Sequence, residues 1–428
     1  MVQASASMRD TTSARRGPKR ARLGVWVLGG ALAAVVGVAV TWYVVHRFEW
    51  AGPLVANSLR AVIGVDNVAR LEDFVYAIED RVNRLTRKGE APRSHWQVPP
   101  KATPEAVSAA VTPSAPSTQQ APGLPPFQPK EPGPALKAWS AEGDGKWVPI
   151  TDKRRPQEPV YMYKTLLHPD RGRSWAEVFV VAIDLRRVRL HVMAGTREPA
   201  SDSKEAESYE RKAVIPSEHH EELLAAFNGG FMTEHGGYGM KVDGVVLVKP
   251  RKDACTIAVY HDDSVRIASW EALAENEPNM RWYRQAPACM YEQGKLHPGL
   301  HDSRGRKWGA TLDGNTVIRR SAIGLNSTRD VLFVAITNHT TARVLADAML
   351  HAGAVDVAQL DVNWSYPKFV TFEPSASGNE RIAVALAAGF EYSPDEYVRD
   401  RQRRDFFYLM RSDAGVPPPD GYVAPGAR

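Results

Sequence analysis

"VLFVAITNHTTARVLADAMLHAGAVDVAQLDV", residues 331–362, decides how this chain is read. "VLFVAIT" is an apolar, β-branched run of strand length, expected to be buried. "TARVLADAMLHAG" then reads as a helix, with a threonine N-cap at Thr340 or Thr341 and Gly353 closing it. "VDVAQLDV" returns to strand. Strand, helix and strand with short connections predict a βαβ unit with two parallel strands and a right-handed crossover.

Outward from that unit the pattern is mostly β. In "AEVFVVAIDLRRVRLHVMAGT", Val188, Leu190 and Val192 alternate with Arg187, Arg189 and His191, as a half-buried strand does. "GVVLVKP", "CTIAVYHDDSVRIASW" and "DFFYLMR" add strands, the second with a hairpin turn at Asp262-Asp263. The fold class expected is α+β: a mixed, mostly antiparallel sheet with one parallel βαβ unit, preceded by an N-terminal transmembrane helix.

That helix is read from residues 23–45, "LGVWVLGGALAAVVGVAVTWYVV", 23 uncharged residues. At ~1.5 Å per residue they span a hydrocarbon core of roughly 30 Å. Arg15, Arg16, Lys19, Arg20 and Arg22 crowd the N-terminal side, so the positive-inside rule puts residues 1–22 in the cytoplasm and the rest outside. A cleaved signal peptide is the rival reading, but "TWYVVHRFEW" offers no small-x-small cleavage site. The expected placement is a single-pass signal anchor in the cytoplasmic membrane with an extracytoplasmic C-terminal domain.

Residues 46–90 are expected to form a membrane-proximal helical segment. There Val68, Leu71, Val75, Ile78, Val82 and Leu85 recur at steps of three and four, a short heptad seam. Either it packs on its own domain, or residues 68–85 pair with a second copy as a homodimer. Residues 91–135 hold twelve of the 31 prolines and are expected to be an extended spacer. The functional domain is expected over 136–411, with a flexible tail at 412–428.

With 43% hydrophobic and 24% charged residues, the 428-residue chain has an ordinary globular composition. The net charge of +5 is partly the local N-terminal cluster, and no zinc-finger spacing or aromatic RNP stripe points to nucleic acid. Cys255 and Cys289 could form one disulfide or remain two buried thiols; sequence alone leaves both open. "SEHHEE" (residues 217–222) puts adjacent histidines on different helix faces, so no metal or other cofactor is expected from it.

Candidate chemistry gathers where the βαβ strands end, because ligands favour the carboxyl ends of parallel strands. Asn338 and His339 follow the first strand; Asp361, Asn363, Trp364, Ser365 and Tyr366 follow the second. A carboxylate beside an amide and aromatic rings suits a sugar. "AAFNGGFMTEHGGYGMKVDG", residues 225–244, supplies a glycine-rich loop with Glu234, His235 and Lys241. It lacks GxxxxGK[ST] and GxGxxG spacing, so it is not a nucleotide loop of either common kind. Its "NGG" is expected to turn tightly because glycine tolerates φ > 0.

"AAFNGGF", "GMKVDG", "RSAIGL" and "GAVDVAQLDVN" together resemble the phosphodiester glycosidase family over roughly residues 160–411. The family pattern corresponds here to Asn228–Phe231, Arg320–Gly324, Gly353-Ala354 and Leu360-Asp361. Many members continue after the aspartate with a Gly-Gly-Gly-Ser-like run. This chain reads "DVNWSYPKF" and resembles a bacterial branch with Leu-Asp-x-Asn and an aromatic. The resemblance implies hydrolysis of a sugar-1-phosphodiester in a glycan. It implies Asp361 as base or nucleophile, Glu234 as second carboxylate and Arg320 on the phosphate. Asn228, Gly229, Gly230, His235, Lys241, Asn338, Asn363 and Trp364 are then candidates for binding the substrate. The alternative is a non-catalytic polysaccharide-binding module.

Overall fold

The computed structural model describes residues 29–30, 36–37, 40, 65–99, 124–301, 308, 316–375 and 380–412. The chain divides into two compact units, Met1–Val65 and Asp66–Arg428, and the fold below is that of the second. Its strands form three sheets.

The largest sheet contains β1 (Val148–Ile150), β2 (Met162–Leu167), β3 (Glu177–Asp184), β11 (Tyr291–Glu292), β12 (Lys295–Leu296), β13 (Ser321–Leu325), β14 (Val331–Asn338) and β15 (Asp356–Gln359). Their order is β1-β2-β3-β14-β13-β15-β11-β12. A second sheet runs β7 (Val245–Val248), β6 (Met240–Val242), β10 (Met280–Ala286), β8 (Cys255–Tyr260) and β9 (Val265–Ser269). A third runs β17 (Arg381–Ala385), β16 (Phe369–Pro374), β5 (Leu223–Asn228), β18 (Phe406–Arg411) and β4 (Val188–Met193).

Two helices matter for the site: α1 (Val65–Thr86) and α2 (Ala342–Ala352). The local signals of α2 work as read. The Thr341 hydroxyl accepts from Val344 N–H at the N-cap, and Gly353 closes the helix at φ 114°. Side chains alternate across β3, which is buried along its whole length. Val178, Val180 and Ala182 join Leu345, Ala346 and Met349 of α2 in one apolar layer. Phe179, Val181 and Ile183 face the opposite layer, shared with Phe227, Phe407 and Leu409 of the third sheet and Ile257, Val259 and Trp282 of the second.

The expected parallel pair is corrected. Both β14 and β15 pair antiparallel with β13, so they run the same way with β13 between them. The reason is the hairpin β13–β14, which occupies that edge of β14 before the chain reaches α2. Every ladder among the described strands is antiparallel. The expected transmembrane helix and single-pass placement are corrected as well. No helix among the described residues is long and apolar enough to cross a membrane. The 22-residue α1 is long enough but carries charges throughout. Residues 1–22, almost all of 23–45, and 413–428 lie outside the described residues.

Helix α1 packs on the domain, and so do the described parts of the segment expected to be an extended spacer. Asp80 of α1 accepts from Arg173 Nε and Nη2 at 2.6 and 2.7 Å. His95 and Glu177 are 2.7 Å apart, and Lys164 sits over the Trp96 ring. Phe127 is buried against Tyr163, and Trp147 Nε1 donates to the Lys130 carbonyl.

Cys255 and Cys289 are joined in a disulfide across 34 residues, tying β8 to the chain just beyond β10. A loop of that length limits the unfolded chain. The Cys255→Ser/Cys289→Ser double variant should therefore lose about 2–4 kcal/mol, read from urea denaturation without reductant. An unchanged midpoint would show that the bond contributes nothing.

Candidate active site

Asp361 lies two residues beyond β15, where the largest sheet meets the third. Its backbone N–H donates to the Gly229 carbonyl at 3.1 Å, and its own carbonyl accepts from Ser321 Oγ at 2.9 Å. The carboxylate is almost fully buried, with 2% residue exposure. Oδ1 accepts from the Val362 N–H at 2.8 Å, and Oδ2 accepts from Arg404 Nη1. Burial raises its pKa to about 6; the Asp405 charge adds to this, while Arg404 and the Val362 N–H oppose it. Asp361 therefore changes charge near neutrality, although it holds an arginine.

Asn228-Gly229-Gly230 forms the floor beside it. Asn228 is buried, donates from Nδ2 to Ser321 Oγ at 2.8 Å, and accepts from Lys368 N–H at 3.2 Å. It thus joins the end of β5 to β13. Neither Gly229 nor Gly230 has positive φ, so the expected reason for glycine is replaced by another. A Cβ on Gly229 would meet Asp405 Oδ2 at 2.2 Å, and one on Gly230 would meet the Arg284 guanidinium at 2.8 Å. Glycine is needed because an ion pair lies directly under the turn.

That pair is fully buried. Arg284, in the middle of β10, donates from Nε to Asp405 Oδ2 at 2.8 Å and from Nη2 to Oδ1 at 3.1 Å. It also donates to the Phe231 and Tyr238 carbonyls, while Asp405 accepts from Gly230 N–H at 2.9 Å. Burial opposes the Arg284 charge, but Asp405 outweighs it and the pKa is raised. The pair ties β10 of the second sheet to the residue that precedes β18 of the third.

The rim is aromatic and cationic. The Arg404 guanidinium lies over the Tyr366 ring at 4.4 Å, and Tyr366 OH donates to the Asp405 carbonyl at 2.7 Å. Arg404 keeps 21% side-chain exposure beside the buried Asp361. Asn363 is exposed at φ 146°, its Oδ1 accepting from the Trp364 N–H. The Trp364 ring contacts His339 edge-on at 4.8 Å and lies near Arg319. Burial, with the charges of Arg87 and Arg319, lowers His339 to about 4. Asn338 accepts from Arg319 at 3.2 Å and donates to Glu177 at 3.4 Å. Burial raises the Glu177 pKa, but His95 and Asn338 reverse this to a net lowering.

Other candidates sit differently. Arg320 is fully buried, donating to the Thr340, Trp308 and Thr316 carbonyls and to Gln359 Oε1. With neutral acceptors throughout, burial lowers its pKa to about 9. Glu234 and His235 form a short 3₁₀ turn, 3.4 Å from each other, with the Glu234 side chain half exposed. Lys241, in β6, points to Glu277 at 3.7 Å. No group of three or more metal-binding side chains occurs among the described residues.

Sequence reading passed over Arg404, Asp405 and Arg284. A signal for each was present: "RRDFF" sets charges against an apolar strand start, and Arg284 interrupts an otherwise buried strand. An arginine mid-strand needs a carboxylate, but nothing local says which.

Neither a family model nor a curated protein sequence matches the chain. Among solved structures, it is distantly similar to zebrafish N-acetylglucosamine-1-phosphodiester alpha-N-acetylglucosaminidase, a catalytic domain auto-inhibited by its pro-peptide. That match has 13% identity and a TM-score of 0.38, covering 62% of this chain and 88% of that one. A hypothetical protein from Synechocystis matches at 11% identity and TM-score 0.31, over 60% and 65% of the two chains. An exported protein from Burkholderia pseudomallei matches at 10% and 0.24, over 55% and 74%. The chain thus has a distant structural likeness to a phosphodiester glycosidase catalytic domain, too slight to carry an argument about activity.

Proposed function

We propose that the domain hydrolyses a sugar-1-phosphodiester bond in a glycan, with Asp361 as general base. The observation that carries the reading is Asp361 itself: a buried carboxylate held near neutrality beside a partly exposed arginine. Water attacks the anomeric carbon and gives its proton to Asp361. The bond from that carbon to the phosphate oxygen breaks, and its electron pair leaves with the phosphomonoester. The products are a reducing sugar and a phosphomonoester. A phosphate leaves readily, so the pair of carboxyl groups usual in glycoside hydrolysis reduces to one.

Arg404 takes the anion-binding role in this reading, because the Arg320 donors are already used on carbonyls and Gln359. The half-buried Trp364 is the ring for the sugar in this reading, and Asn363 supplies an exposed amide. The full chain incubated with a panel of sugar-1-phosphodiesters should release reducing sugar, and its Asp361→Asn variant should not. Retention of polysaccharide by both proteins without release would support a binding module, the reading favoured by the non-glycine segment after Asp361.

A further inference from the structure

Helix α1 has two unlike faces. Tyr76 packs against Phe231, Ile318 and Val362, and Asp80 is held by Arg173. Leu71, Phe74, Val75, Ile78, Val82 and Leu85 are instead 43%, 62%, 37%, 47%, 49% and 74% exposed. At ~100° per residue these six fall within an arc of about 100° centred on Ile78, with Tyr76 and Asp80 each about 160° away. The domain therefore holds the polar back of the helix and leaves its apolar stripe uncovered. A contiguous stripe of this kind on a soluble surface marks an interaction site.

We propose that this stripe pairs with the same stripe of a second copy, as a parallel two-stranded coiled coil. The heptad positions specify the partner. Val75 and Val82, with Val68 before them, take the a positions; Leu71, Ile78 and Leu85 take d. β-Branched residues at a with leucine at d, as at Leu71 and Leu85, favour two parallel strands. A lipid surface fits less well. Membrane-surface helices are rich in lysine and arginine, whereas α1 has five acidic residues (Asp66, Glu72, Asp73, Glu79, Asp80) against three basic (Arg70, Arg81, Arg84). Pairing through a/d also leaves Tyr76 and Asp80 in place on the domain, so the two contacts do not compete.

The test is sedimentation of the full chain across a concentration series, with a Val75→Asp/Ile78→Asp variant and a Val82→Cys variant. The first places its charges on exposed positions, so the domain should keep its fold and its circular dichroism. The expected result is a wild-type dimer whose dissociation constant rises at least about 100-fold in the aspartate variant. Val82→Cys should cross-link to itself on oxidation, because a positions face each other only in a parallel, in-register pair. A monomer at every concentration, or a dimer indifferent to the aspartates, would overturn the proposal. So would binding to anionic phosphatidylserine vesicles that the aspartate variant loses without any change in mass.

Discussion

The Asp361→Asn variant is expected to lose about 10²–10⁴-fold in kcat/KM on a sugar-1-phosphodiester, the usual worth of a positioned general base. The same reading fixes the sign of the pH dependence. A base works ionised, and burial raises Asp361 to about 6, so the wild-type rate should climb as pH rises through that value. A carboxylate at its ordinary pKa would have levelled off some two units lower. Stability should move the opposite way. The folded pKa lies above the unfolded one, so the stabilisation is complete below about pH 4 and is lost as pH rises through about 6. The full loss is on the order of 3 kcal/mol. Urea denaturation at pH 4.5 and pH 8, with wild type and variant side by side, reads about 2 kcal/mol of it. A flat rate profile, or a stability difference between the two proteins independent of pH, would remove Asp361 from the base role.

Arg284→Ala or Asp405→Ala should each cost about 3–5 kcal/mol, because each strands the other charge in the interior. The geometry argues for the upper part of that range. Arg284 also serves the Phe231 and Tyr238 carbonyls, and Asp405 also holds the Gly230 N–H, so one truncation leaves several polar groups unpaired. Arg284→Lys should be poorly tolerated too, since one ammonium cannot reproduce the two-point contact with Asp405. Thermal and urea midpoints of the single variants decide the matter. A loss below about 1 kcal/mol would show that the pair is incidental to the fold.

These two sites are linked through Gly229-Gly230 and through Arg404-Asp405, yet they were unequally legible. Asp361 could be read as a site residue because it ends an apolar strand in a strand–helix–strand run. That run is marked by local events: a change of period, the Thr341 cap and the Gly353 stop. The Asp262-Asp263 hairpin is local in the same way, with Asp263 at φ 63° between β8 and β9. Short-range backbone chemistry is written in adjacent residues, and adjacent residues were enough.

What the sequence determined alone, then, was that the segments of β3, β4, β7, β8, β9, β14, β15 and β18 become strands, where α2 starts and stops, and that a polar cluster follows β15. The tertiary structure decided who meets whom. β13 enters between β14 and β15 because its hairpin with β14 forms one edge, which no periodicity in residues 331–362 records. The glycines of the Asn-Gly-Gly turn answer to Asp405 and Arg284, and the Gly230–Asp405 bond spans 175 positions. Arg320, a phosphate candidate from its motif, is committed to neutral carbonyls that only packing could bring around it. The physical reason is the same each time. A buried charge must be matched by whatever the fold places within about 3 Å, and that partner is chosen by sheet packing rather than by sequence neighbours.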